Sequence, residues 1–153
     1  MNIVFLDVDG VLNSFAHLLR VCEESDEFCC DSCYPFSDYC LNNLKKLVSK
    51  TNSKIVISSF WRDSDETLNL LLSKLDEYDL KKDVIGCTPL LYTSRANEIN
   101  EYLSSLDVKP NFVILDDDFI SEDLNDYLVK VNSYVGLTSY DVDKGLYLLN
   151  KNR

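Results

Sequence analysis

Basic residues are scarce and scattered in this sequence. Fifteen Lys and Arg stand against 26 Asp and Glu, for a formal net charge of −11. Only Lys45-Lys46 and Lys81-Lys82 adjoin. Binding along a bare duplex needs clustered cations to neutralise phosphates, so tight duplex binding is excluded as an expectation. Brief contact with a phosphorylated end is not. No stretch approaches 18 apolar residues, so no membrane-spanning helix and no membrane partner are expected. The N-terminal apolar run, residues 3–6, is broken by Asp7 and Asp9 and has no basic flank. It does not read as a secretory signal, and a cytoplasmic protein is expected. Internal repeats and low-complexity tracts are also missing.

Histidine is nearly absent. The single one, His17, is expected at the surface or in packing rather than in catalysis. Of six cysteines, Cys29, Cys30 and Cys33 cluster, with Cys22 and Cys40 flanking. They contain one CxxC and no second pair, which is weaker than a standard zinc signature. In a reducing compartment most are expected as thiols.

What is present suits one soluble domain: 153 residues, 46% hydrophobic and 27% charged. Residues 1–6 read as a buried strand, a short Ile/Val-rich run that ends at Asp7. Residues 13–36 read as an irregular, cysteine-rich insertion. Residues 37–50 carry a helical apolar stripe behind Ser37 as N-cap. Residues 54–59 read as a second buried strand, 64–77 as a helix, and 84–86 as a short strand. A helix is expected over 94–106, a third buried strand over 112–115, a helix over 121–130 and an edge strand over 131–135. Thr138-x-x-Asp141 resembles a capping box before a last helix that ends near Asn150.

Strands alternating with helices at this spacing give a single α/β domain, a parallel sheet with helices on both faces. Ligands in such sheets sit beyond the carboxyl ends of the strands. Asp7 with Asp9, Ser58 with Ser59, and Asp116 to Asp118 end the three clearest strands. All three groups therefore converge on one edge. Neighbouring carboxylates repel, and one protonates unless a cation is present. Mg2+ suits them, because it takes one or two carboxylates, waters and a substrate phosphate. Asp7, Asp9, Asp116 and Asp117 are the candidate ligands. A strand-end serine and an arginine would hold phosphate oxygens.

Leu6-Asp7-Val8-Asp9-Gly10 resembles the first motif, hhhDxDG, of the haloacid dehalogenase-like (HAD) superfamily. Ile55-Val56-Ile57-Ser58-Ser59 resembles its second motif, and Val113-Ile114-Leu115-Asp116-Asp117-Asp118 its fourth. Arg95 is taken for the lone basic residue of the third. Ser58-Ser59-Phe60-Trp61-Arg62 and Arg95-x-x-Glu98-Ile99 narrow the likeness to the small phosphatase domains of Swiss-Army-knife RNA repair proteins.

That resemblance implies a Rossmann-like domain over the whole chain, with residues 13–36 as a small cap or loop. It implies Asp7 as nucleophile and Asp9 as general acid and base, with an aspartyl-phosphate between. Ser59 and Arg95 would hold the transferring phosphoryl group, and Arg62 is a further candidate for binding phosphate. Asp7, Asp117 and the backbone carbonyl of Asp9 would bind Mg2+, with Asp116 near.

Several positions keep two readings. Arg62 serves phosphate or a structural ion pair, and Trp61 suits the core better than a stacking platform. Ser59 is preferred to Ser58. Asp118 and Glu122 serve the site or only the following turn. The expected partner is a phosphorylated nucleotide or nucleic-acid end. A sugar phosphate, an acceptor other than water, and a non-enzymatic acidic module are the alternatives.

Overall fold

The computed structural model describes residues 1–24 and 36–151. Five strands form one parallel sheet in the order β3-β2-β1-β4-β5. They are β1 (Asn2–Leu6), β2 (Ser53–Ile57), β3 (Val84–Cys87), β4 (Asn111–Asp116) and β5 (Leu128–Lys130). The helices are α1 (Phe15–Glu24), α2 (Asp38–Thr51), α3 (Asp65–Glu77), α4 (Arg95–Ser104) and α5 (Ser139–Lys151). None among the described residues is long and apolar enough to cross a membrane.

Strand alternation divides the interior into two cores. Val4 and Leu6 of β1 pack with Leu41, Leu44 and Leu47 of α2, Leu71 and Leu75 of α3, and Val142 and Leu149 of α5. Ile3 and Phe5 point the other way, toward Ala96 and Ile99 of α4. Both sheet faces are covered, which is why β1, β2 and β4 read as unbroken apolar runs rather than alternating ones.

Polar side chains punctuate the helices. Ser37, Ser64 and Ser94 each accept the third following amide, that of Cys40, Thr67 and Asn97. The capping box before α5 is reciprocal. Asp141 accepts from the Thr138 amide at 2.8 Å and its hydroxyl at 2.6 Å, and Thr138 Oγ1 accepts from the Asp141 amide at 3.3 Å.

Three local expectations need correction. The insertion is not wholly irregular, since residues 15–24 form α1. That helix buries none of its own residues, and its first amides donate to the Ser133 and Tyr134 carbonyls. Cys29, Cys30 and Cys33 lie outside the described residues. Residues 121–130 hold no α-helix, only a 3-10 turn at Asn125–Tyr127 followed by β5. Leu128 faces the α4 core and Val129 the opposite one, a period of two that marks a strand. The edge strand therefore precedes residues 131–135. There Asn132 accepts the amides of Val135 and Gly136, and Gly136 at φ +74° closes a turn.

The chain builds β1, β2 and β3 outward on one side, then crosses to β4 and β5 on the other. The order reverses between β1 and β4, the place where open α/β sheets leave a crevice for ligands. Replacing the capping hydroxyl (Thr138→Ala) is expected to cost about 1 kcal/mol. A urea titration checks this, with a lowered midpoint at unchanged slope.

Candidate active site

Register brings the first residues together. Leu6 of β1 lies level with Ile57 on one side and Leu115 on the other. The ladder continues one residue further: the Asp7 amide donates to Leu115 O at 3.0 Å and the Ser58 amide to Leu6 O at 2.9 Å. Asp7 and Asp116 are therefore neighbours at the switch point, and both are buried. Carboxylate oxygens of Asp7, Asp116 and Asp117 lie within 4.8 Å of one another.

Past Asp7 the chain turns sharply. The Val8 carbonyl accepts the amides of Val11, Leu12 and Asn13. Gly10 takes φ +77°, and a Cβ there would sit 2.4 Å from Asp117 Oδ2. Glycine is thus required twice, for the backbone conformation and for room beside the Asp117 carboxylate.

Arg95, the first residue of α4, reaches this cluster. Its Nη1 is 3.1 Å from Asp7 Oδ1 and 2.9 Å from Asp116 Oδ2. One guanidinium does not balance three carboxylates. Burial pushes the Asp7 carboxyl up, against the pull of Arg95 and, more weakly, of the Ser59 hydroxyl that faces it. Burial, then the charge of Asp7, raises Asp116 to about 7. Burial and the charges of Asp7 and Asp118 raise Asp117. A dense group of hard oxygen donors in deficit of positive charge fits a divalent cation.

The Asp9 carboxylate is not one of the three that converge. It accepts from Trp61 Nε1 at 3.0 Å and Asn13 Nδ2 at 3.2 Å. It lines a cleft of about 320 Å³ with Gly10, Asn13, Phe15, Leu18, Asp117 and Ser133. Trp61 is buried against Phe36, and its ring nitrogen is what orients Asp9.

Of the two serines, Ser59 faces Asp7 and caps the 3-10 turn Phe60–Arg62. Ser58 Oγ is buried without a hydrogen-bond partner. Arg62, expected at phosphate, is placed elsewhere. Its Nη2 pairs with Glu98 in the interior, Nη1 donates to Ser59 O, and Nε donates to Thr88 O at 2.9 Å. With its side chain only 3% exposed, Arg62 takes the structural ion pair of its two sequence readings.

Asp118 contributes its amide to Asp116 Oδ1 at 2.9 Å. Glu122 is exposed and outside the carboxylate group. His17 lies on α1 and pairs with Arg20. Glu98, the acid of the Arg95-x-x-Glu98 string, is buried in α4 and pairs with Arg62. The usable signal was an acid on the inward face of α4, which at such a position needs a buried cation as partner.

These shifts have a consequence for stability. The carboxyl of Asp116 is raised above its unfolded value, so the folded state retains a proton that the unfolded chain has lost. Its contribution to stability is present below about pH 4 and falls as pH rises toward 7. In chelated protein, stability should decline over that window. Added Mg2+ should remove the decline, so that the difference in melting temperature widens from pH 5 to 7.5. Gly10→Ala, which displaces the Asp117 carboxylate, should abolish most of that difference. Scanning calorimetry at each pH checks both.

A family model described as the HAD domain in Swiss Army Knife RNA repair proteins matches residues 3–142. No curated protein and no solved structure matches the chain. The matched span takes in the five strands except Asn2, together with the carboxylate cluster, Ser59 and Arg95. The chain belongs to the HAD domains of the Swiss Army Knife RNA repair type and, at the level of the superfamily, to the HAD-type phosphohydrolases.

Proposed function

We propose that this protein is a Mg2+-dependent phosphomonoesterase that works through an aspartyl-phosphate on Asp7. One observation carries the reading. A buried carboxylate at the switch point faces a serine hydroxyl and an arginine, and shares its space with two more carboxylates. A bound Mg2+, held by Asp7, Asp117 and the main-chain carbonyl of Asp9 with Asp116 beside them, would neutralise charge on the carboxylates and on the phosphoryl oxygens.

A carboxylate oxygen of Asp7 attacks phosphorus as the bond to the leaving oxygen breaks. Asp9 gives that oxygen a proton. A water then attacks phosphorus and yields its proton to Asp9, and the bond to Asp7 breaks to restore the carboxylate. Ser59 and Arg95 stabilise the phosphoryl oxygens throughout. Trp61 and Asn13 keep the Asp9 carboxyl turned toward the cleft where the leaving group departs.

The substrate is a nucleotide or a nucleic-acid end. The family description supports this, and so does the distribution of phenylalanine. Among the described residues, Phe5, Phe36 and Phe112 are buried, whereas Phe15, Phe60 and Phe119 are exposed. Each exposed ring belongs to a segment that carries the site. Phe15 lines the cleft with Asp9 and Asp117, Phe60 follows Ser59, and Phe119 follows Asp118. The Arg95 guanidinium lies 5.9 Å from the centre of the Phe60 ring. Exposed aromatic faces next to a phosphate site suit unpaired bases, which stack at about 1–3 kcal/mol each. With 15 basic residues against 26 acidic ones, stacking and the terminal phosphate would supply the affinity. We place the protein in the cytoplasm, where its cysteines stay reduced.

Asp7→Asn keeps the shape of the side chain and removes the nucleophile. Turnover of a small aryl phosphate should fall by several orders of magnitude, and retention of more than about a tenth of the rate would exclude Asp7. Chelation by EDTA should abolish wild-type turnover, and Mg2+ should restore it.

Phe60→Ala should lower kcat/KM for an end-phosphorylated oligonucleotide about tenfold further than for glycerol phosphate, which has no ring to stack. The salt dependence of the oligonucleotide reaction should correspond to about one or two phosphate contacts. A slope that steepens steadily with oligonucleotide length would contradict this mode of binding.

A further inference from the structure

Arg62 and Glu98 lie outside the proposed chemistry, yet their side chains are only 3% and 9% exposed. The Lys45–Asp79, Lys54–Asp83 and Lys74–Glu77 pairs are all far more open. A buried ion pair is poor evidence for stability, because a well-packed apolar pair of similar size often does as well. What this pair does is tie three segments together. Arg62 donates to the carbonyls of Ser59, Thr88 and Pro89. Glu98 accepts from Arg62 through Oε2 and from the Leu91 amide through Oε1 at 3.1 Å.

The segments so joined are those that present the site. On the Arg62 side is the turn after β2, where Ser59 faces Asp7 and the Trp61 ring nitrogen holds Asp9. On the Glu98 side is the first turn of α4. Arg95 lies three residues earlier, one helical turn away, and meets both Asp7 and Asp116. Four contacts to the reacting carboxylates thus run through two elements, and one ion pair with its fork of backbone bonds couples those elements.

We propose that Arg62 and Glu98 are positioning residues. Together they set the spacing between the Ser59–Trp61 turn and Arg95 so that both meet the same phosphoryl group. This rests on the phosphatase reading of the site. Arginine suits the task because its rigid fork reaches several carbonyls and a carboxylate at once, which a lysine does not. Misplacing a binding group by about 1 Å can cost about a hundredfold in rate, so a brace remote from the chemistry can still govern it.

The test compares Glu98→Gln, which keeps the size of the side chain, with the double variant Arg62→Met/Glu98→Leu, which removes both charges. Three quantities are read on protein shown to be folded by circular dichroism. They are the melting temperature, kcat and KM for a small aryl phosphate with Mg2+, and the affinity for inorganic phosphate by calorimetry. Glu98→Gln should lose about a hundredfold in kcat/KM and bind phosphate more weakly. In the double variant both functional losses should persist, whatever its melting temperature. Should Glu98→Gln fail to fold, the double variant decides alone. A folded double variant with wild-type kcat/KM and wild-type phosphate affinity would overturn the proposal and leave the pair a structural contact. Wild-type protein that neither hydrolyses a phosphomonoester nor binds phosphate would instead sink the phosphatase reading, and the positioning role with it.

Discussion

Three carboxylates crowd one buried space because parallel pairing leaves them no other. With Leu6 level with both Ile57 and Leu115, the residues that follow β1 and end β4 emerge side by side. Asp7 and Asp116 are buried there, while Asp117 is half-buried and lines the cleft. Burial raises the pKa values of Asp7, Asp116 and Asp117, and the charge of Asp7 raises those of Asp116 and Asp117 further. The charge deficit is the constraint to which the surrounding structure responds.

The responses are local and identifiable. Arg95 at the head of α4 supplies one positive charge. Gly10 clears the space in which the Asp117 carboxylate sits. Trp61 and Asn13 keep Asp9 out of the cluster and facing the cleft. That separates two neighbouring aspartates by environment: Asp7 is buried among like charges, and Asp9 is exposed with two neutral donors. The difference matches the different tasks assigned to them, nucleophile against proton carrier. Behind these contacts, Arg62 and Glu98 hold the two elements that frame the phosphate position.

Much of this was legible in the sequence, for reasons that can be stated. Buried parallel strands are short apolar runs, and ligands sit beyond their carboxyl ends. Asp7, Ser59 and Asp116 were therefore visible as the ends of β1, β2 and β4. Ser37 and the Thr138–Asp141 box mark helix starts because a cap acts within three residues. Elements without a local signature were hidden. α1 buries no side chain of its own, and β5 is three residues long and set by pairing with β4 rather than by its own pattern. The role of Arg62 was open because its partner lies 36 residues away. No spacing rule joins a turn after β2 to the first turn of α4, and only the fold does.

The central claim is that Asp7 becomes transiently phosphorylated. Sodium borohydride reduces an acyl phosphate to the alcohol, so quenching protein during turnover with Mg2+ should convert Asp7 to homoserine, read by mass spectrometry of the N-terminal peptide. The account predicts that modification at position 7, dependent on both substrate and Mg2+, and its loss in Asp7→Asn. Turnover with position 7 unmodified, or trapping at Asp9, Asp116 or Asp117 instead, would contradict it.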